Sequence, residues 1–285
     1  MESVEQVRPV VGMVAGPLLS RRVRELFRVY PKALVGEIEA IHDLRVAARR
    51  LRSALSLLVE KPRGRRAARA DRTLRDLARA AGRGRDLDVV LEILESIPSA
   101  LDEGALRLRR ALRASRGRAR VLSREALLDL DIARLRRDLR ALAASTHVDR
   151  PAVAERVAAL RQCEEAIVSR ELGAARAHPS AEALHGVRRA ARRLRYAAEI
   201  SDLVEGADSG GVDRWRRLQT LLGDIQDRHV LGVWLTAAER RARQRGDATL
   251  AAAATRTLYR VRRDAASRTR AFLASKAAPI SKPLD

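Results

Sequence analysis

The sequence predicts an all-α protein. Helical periodicity runs through almost the whole chain, and β-branched runs of alternating polarity are scarce. Long Ala/Leu/Arg/Glu segments are broken by short Gly, Pro and Ser clusters. A third observation bears on the architecture: one phrase occurs twice. "IHDLRVAARRLRSALSLL" begins at Ile41 and "LHGVRRAARRLRYAAEI" at Leu184. Both read His-x-x-Arg-x-x-x-Arg-Arg-x-Arg.

The punctuation divides the chain in order. An apolar run from Pro9 to Leu19 opens the first helix; Gly12, Gly16, Pro17 and the preceding Glu2 and Glu5 are unlike a secretory leader. Breaks follow at Pro31 to Gly36, "KPRGRR" from Lys61, "GRGR" from Gly82, "PSALDEG" from Pro98 and "SRGR" from Ser115. Further breaks are "THVDRP" from Thr146, "GAARAHPS" from Gly173, "GADSGG" from Gly206 and Arg245 to Asp247. About ten helices lie between them. The segment after the phrase recurs too: "LARAAGRGRDLDVV" from Leu77 aligns with "LQTLLGDIQDRHVL" from Leu218, pairing Gly82 with Gly223 and Asp86 with Asp227. The expectation is one domain over 1–285, built from repeat halves 8–147 and 151–278 with a flexible tail at 279–285. A repeat that cannot cover its own apolar face buries it against its twin. Two tandem antiparallel bundles about a pseudo-twofold axis are therefore expected.

On a helical wheel Leu44, Ala48, Leu51, Leu55 and Leu58 form a stripe spaced for burial. His42, Arg45, Arg49 and Arg52 form a second stripe a quarter turn away, with Arg50 on its flank. The second copy buries Val187, Ala191, Leu194 and Ala198. It aligns His185, Arg188, Arg192 and Arg195, with Arg193 on the flank and Tyr196 beside them. Arginines at i, i+4 and i+7 repel one another by a few tenths of a kcal/mol per pair. Asp43 is the only carboxylate within the phrase up to its last arginine, and it points aside. An anion is the natural compensation. Successive arginines rise about 5–6 Å, so each stripe is a ladder for a row of oxyanions. Arg72, Arg75, Arg79, Arg83 and Arg85 extend the basic surface on the next helix, and Arg228 does so in the second half.

Two blander readings compete: an ordinary solvated face, or arginines neutralised by acids on neighbouring helices. The histidines are expected to donate to phosphate oxygens; metal ligation would need the two brought together and has no ligand-spaced neighbours to support it. Asp86 and Asp227 follow glycine-containing turns and are expected as helix N-caps. Trp215 and Trp234, set among leucines, are expected in the core.

The totals agree with this. The 285 residues carry 58 Lys+Arg against 36 Asp+Glu, a formal charge of +22 that points to a polyanionic partner. Only Lys32, Lys61, Lys276 and Lys282 among the basic residues are lysine, and arginine is the bidentate oxyanion binder. Cys163 is the single cysteine, which fits a reducing, cytoplasmic setting and leaves no cysteine metal site. No apolar run approaches the roughly 20 residues of a membrane span.

The two phrases, with the Gly…Asp turns behind them and "LGDIQD" from Leu222, resemble the CHAD family, the conserved histidine α-helical domain, over nearly the whole chain. The resemblance implies two helical bundles about a pseudo-twofold axis. It also implies binding of inorganic polyphosphate through His42, Arg45, Arg49, Arg50, Arg52, His185, Arg188, Arg192, Arg193 and Arg195, and association with polyphosphate granules. Gly186 and Arg189 are unexpected within the phrase. The triphosphate-tunnel catalytic domain often fused to this family needs a β-barrel and alternating glutamates that are not seen here, so no hydrolase activity is carried over.

Nonspecific nucleic-acid binding is the alternative. Single-strand binders stack bases on aromatics, and aromatics are 2% of this chain. Duplex phosphate contact needs only cations and stays open. No Gly-rich phosphate loop, nucleophile elbow or His-Glu-x-x-His motif points to an enzyme. The expectation is a non-catalytic polyphosphate binder without a cofactor.

Overall fold

The computed structural model describes residues 13–97, 102–206 and 210–275. Among these residues the chain forms helices and no strand. The first half holds α1 (Ala15–Leu34), α2 (Ile38–Leu58), α3 (Arg65–Ser96), α4 (Glu103–Leu128) and α5 (Ile132–Ala144). The second holds α6 (Arg150–Ala177), α7 (Ala181–Glu205), α8 (Gly211–Gln244) and α9 (Ala248–Ala274).

Nine described helices replace the expected ten for a local reason. Neither "GRGR" nor "SRGR" breaks its helix: α3 runs through Gly82 and Gly84, and α4 through Gly117. A single glycine costs about 1 kcal/mol in a helix interior, which the packing of a long helix outweighs. One break went unforeseen, at 129–131, where Asp131 caps α5 by accepting from Arg134 N at 2.9 Å. "GAARAHPS" ends its helix only at Ala177, with Ser180 capping α7. Asp86 and Asp227 are not N-caps, since both lie inside α3 and α8. The caps are Asp102, Asp131, Asp149, Ser180 and Asp247. The first helix starts at Ala15; residues 8–12 and 276–285, including the expected tail, lie outside the described residues.

The predicted apolar stripes are buried. Leu44, Ala48 and Leu51 are fully inaccessible, as are Val187, Ala191 and Leu194. Burying each leucine contributes about 1.5–3 kcal/mol. α2 packs between α1 and α3, and α7 between α6 and α8. Across the halves α2 meets α7, α3 meets α8 and α4 meets α9. Three apolar clusters result. One joins α1, α2, α5 and the first part of α3 with Leu127 of α4, Val153 and Val157 of α6, and Ala197, Ile200 and Val204 of α7; the second joins α7 with parts of α6, α8 and α9. The third unites the far ends of α3 and α8 with α4 and α9, through Val90, Leu94, Leu112, Leu231, Leu235 and Leu258. The long helices α3 and α8 thus bridge the halves at one end. Trp215 is core, and Trp234 is partly buried against the third cluster.

Candidate polyanion-binding site

Where α2 and α7 cross, the arginines of both phrases converge. The guanidinium groups of Arg45, Arg188 and Arg192 all act on Arg49, and Arg45 also acts on Arg188 and Arg192. Arg45, Arg49 and Arg192 border a cleft of about 610 Å³, lined also by Ser53, Ser56 and Tyr196. Arg75 and Arg79 of α3 reach its wall, and Arg52 and Arg193 its flanks.

Arg45 and Arg188 are seated alike. Arg45 lies over Gly82, where a Cβ would come 3.2 Å from its Nη1; Arg188 lies over Gly223, where a Cβ would come 3.7 Å from its Nη2. A Cβ at position 82 would crowd the Arg45 guanidinium, so close approach accounts for the mid-helix glycine there, whereas at position 223 it would make only ordinary contact with Arg188. Arg45 Nη1 donates to Asp86 Oδ1 at 2.5 Å. Asp227 exerts the largest charge attraction on Arg188. Burial, aided by Asp86, pushes the Asp227 carboxyl up despite Arg188 and Arg45. The two aspartates thus balance the inner end of the cleft.

The eight phrase arginines divide by partner. Arg45 pairs with Asp86, Arg50 with Glu199, Arg52 with Asp71, Arg193 with Glu164, and Arg195 approaches Glu199 at 3.6 Å. Arg49, Arg188 and Arg192 have no ion pair within 4.0 Å among the described residues, and Arg188 Nε is buried without a hydrogen-bond partner. Burial and the neighbouring guanidinium groups lower Arg49 to about 9 and Arg192 to about 10. Both remain cationic at neutral pH. Arg49 and Arg192 are half-buried charges without an ion-pair partner, and Arg188 has only the longer-range attraction of Asp227 and Asp86, an arrangement that is costly unless an anion arrives.

Four of the expected positions lie away from the cleft lining. Arg50 points away from the cleft: its Nε and Nη2 hold Glu199 at 2.7 and 2.8 Å on the opposite face of α2. Burial opposes its charge, but the Glu199 hydrogen bonds outweigh that and raise its pKa. Arg195 joins the same Glu199 cluster with Arg22, its guanidinium 4.9 Å from the Tyr196 ring centre. Arg228 is no part of a basic surface, being enclosed by Asp224 and Asp264. Arg72 is exposed outside the cleft. Arg85 sits by His42 and within 3.7 Å of Glu92; the side chain of Arg83 lies outside the described residues.

His42 and His185 stand one turn before Arg45 and Arg188. Burial, then Arg85, lowers the His42 pKa; burial, then Arg189, lowers that of His185, against a hydrogen bond with Gln226. His185 Nδ1 is buried and unpartnered. Among the described residues no three His, Cys, Asp or Glu side chains gather as metal ligands would. No described helix is long and apolar enough to cross a membrane. Gly186 has a packing reason, because a Cβ there would meet Glu171 Oε2 of α6 at 2.9 Å.

A family model described as the CHAD domain matches residues 18–236. The chain belongs to the CHAD family. Two Mycobacterium tuberculosis proteins, from strains CDC 1551 / Oshkosh and ATCC 25618 / H37Rv and both described only as uncharacterised, are 32% identical to this CHAD domain over 202 residues. That region is 66% of this chain and 38% of each of theirs, so the match spans well under half of those curated relatives. The crystal structure of the CHAD domain from the plant Ricinus communis matches with a TM-score of 0.66 and 21% identity, over 93% of this chain and 88% of that one. At that identity the likeness speaks to the helical fold alone.

Proposed function

We propose that this CHAD domain is a non-catalytic binding module for inorganic polyphosphate, which lies in the α2–α7 cleft. One observation carries the reading: Arg45, Arg49, Arg188 and Arg192 converge from two helices, and three of them lack an ion-pair partner among the described residues. A chain of phosphates supplies the missing charge at bidentate spacing. The ligand set is Arg45, Arg49, Arg188 and Arg192 at the centre, His42 and His185 at the helix starts, and Arg52, Arg75, Arg79 and Arg193 on the walls. The last four are already neutralised by Asp71, Asp76 and Glu164 and steer more than they bind. The contacts of α2 with α7, α3 with α8 and α4 with α9 support a pseudo-twofold arrangement, with each half giving one histidine-arginine helix. Residence in the cytoplasm on polyphosphate granules follows as part of the same proposal.

Competition separates this from nonspecific nucleic-acid binding. A labelled long-chain polyphosphate complex is titrated with duplex DNA at equal phosphate concentration. Polyphosphate has denser charge and no bases to seat, so DNA should displace only a minor fraction. Equal displacement would move the reading to a nucleic-acid binder.

A further inference from the structure

The outer side of α9 carries a basic stripe of its own. Ala254, Leu258 and Val261 of this helix are buried in the third apolar cluster. On the side facing away from them Arg256, Arg260, Arg263, Ser267 and Arg270 recur at the spacing of one helical face, and all five are exposed. The stripe rises about 21 Å along the axis and holds no acid. Asp264, the one acid of α9, lies off it and holds Arg228 of α8 and Arg268. Arg256 pairs with Asp102 at 2.8 Å, yet its side chain stays 56% exposed.

Tyr259 stands on the flank of the stripe. It is 64% exposed, whereas the other six aromatic side chains are buried or half-buried. Its ring forgoes the burial that the others obtain. The Arg263 guanidinium lies 5.9 Å from the ring centre, within cation–π reach, so ring and cation stand side by side. Charge also concentrates here. α9 carries six arginines against one acid, and α4, which packs beside it, eight against two. These two helices hold half of the net +22. No residue of either lines the α2–α7 cleft, so an anion in that cleft leaves this face uncovered.

The chemistry of an occupant follows. It must offer a row of anions and a flat face. Arginines supply donors to phosphates, and an exposed ring beside a guanidinium is a stacking platform for an unpaired base. Inorganic polyphosphate has no face to stack, and a duplex keeps its bases inside. We propose that the α9 stripe binds single-stranded nucleic acid without sequence preference, its phosphates on Arg256, Arg263 and Arg270 and one base on Tyr259. This surface is separate from the polyanion cleft and goes beyond the polyphosphate reading.

The test is fluorescence anisotropy of a labelled oligothymidylate of about 20 nucleotides against the whole chain, with an abasic oligomer of the same length as control. A Kd of about 10 μM is expected, with the abasic oligomer about tenfold weaker. Tyr259→Ala should weaken the oligothymidylate about tenfold, one stacked base's worth, and leave the abasic oligomer within about twofold. Tyr259→Phe, which keeps the ring, should change neither by more than about twofold. Arg263→Glu combined with Arg270→Glu should weaken both and lower the slope of log K against log salt by about 1.4. Polyphosphate affinity by calorimetry should move less than about threefold in all these variants, and their melting temperatures should match the parent because the side chains are exposed. Equal affinity for the abasic oligomer would overturn the proposal, as would Tyr259→Ala leaving oligothymidylate binding unchanged. So would Arg49→Met weakening the oligothymidylate as much as the α9 changes do, which would put the strand in the cleft.

Discussion

Replacing Arg49 by methionine should stabilise the ligand-free protein while weakening its hold on polyphosphate. Arg49 sits among Arg45, Arg188 and Arg192, and its pKa is lowered from the ordinary arginine value to about 9, chiefly through burial, then through Arg45 and Arg192. A base whose folded pKa is depressed costs stability at every pH below that value and recovers it only as pH climbs towards the ordinary arginine range. The full cost therefore applies between pH 5 and 8. At about 1.4 kcal/mol per unit the shift would amount to several kcal/mol. Water and counterions at the cleft mouth screen most of it, leaving about 1–2 kcal/mol. Methionine keeps the packed part of the side chain and removes the charge. The melting temperature should rise by about 2–3 °C for a chain of this size. Loss of one charge-assisted contact, about 1.5–3 kcal/mol, should weaken polyphosphate about 10- to 100-fold by calorimetry. A lower melting temperature in the variant would refute the reasoning, because it would make Arg49 a structural group.

Glu199→Gln should behave oppositely: Glu199 is 10% exposed at its side chain and faces Arg22, Arg50 and Arg195, so its loss leaves buried guanidinium groups unmatched at about 3 kcal/mol. Denaturant melts should show that loss, with polyphosphate affinity changed less than about threefold. The histidines give a pH signature. His42 and His185 are held below the ordinary 6.5 by burial and by Arg85 and Arg189 respectively, so phosphate raises them and binding takes up protons. Affinity should therefore strengthen as pH falls from 8 towards 6, and a His42→Gln/His185→Gln variant should lose that slope. The free fold should weaken only as pH falls below about 6.5, where the unfolded chain takes up these protons while the folded imidazoles are still neutral.

The buried stripes of α2 and α7 could be read from spacing alone, since Leu44 and Leu194 need only helical period to be placed inside. So could the correspondence of Gly82 with Gly223. The partners of the arginines could not. Asp71, Asp86, Glu164 and Glu199 lie on helices whose approach is set by packing, and nothing in the phrase separates Arg49, which has no acid, from Arg50, which has one. Asp86 and Asp227 misled because a glycine followed by an acid looks like a turn and cap. In the fold Gly82 makes room for the Arg45 guanidinium, and each aspartate helps neutralise the arginine beside it. Arg228 misled for a related reason, as Asp264 arrives from α9, far along the chain. The break at 129–131 carries no Gly or Pro and went unread.

The most direct measurement follows the guanidinium Nε–H resonances of ¹⁵N-arginine-labelled protein during a polyphosphate titration, assigned with single variants. Arg49, Arg188 and Arg192 should shift together and saturate at one stoichiometry, while Arg50 and Arg228, locked to Glu199 and to Asp224 and Asp264, stay in place. Uniform small shifts across exposed arginines such as Arg24 and Arg137, with the three cleft residues unmoved, would contradict a shared site between α2 and α7.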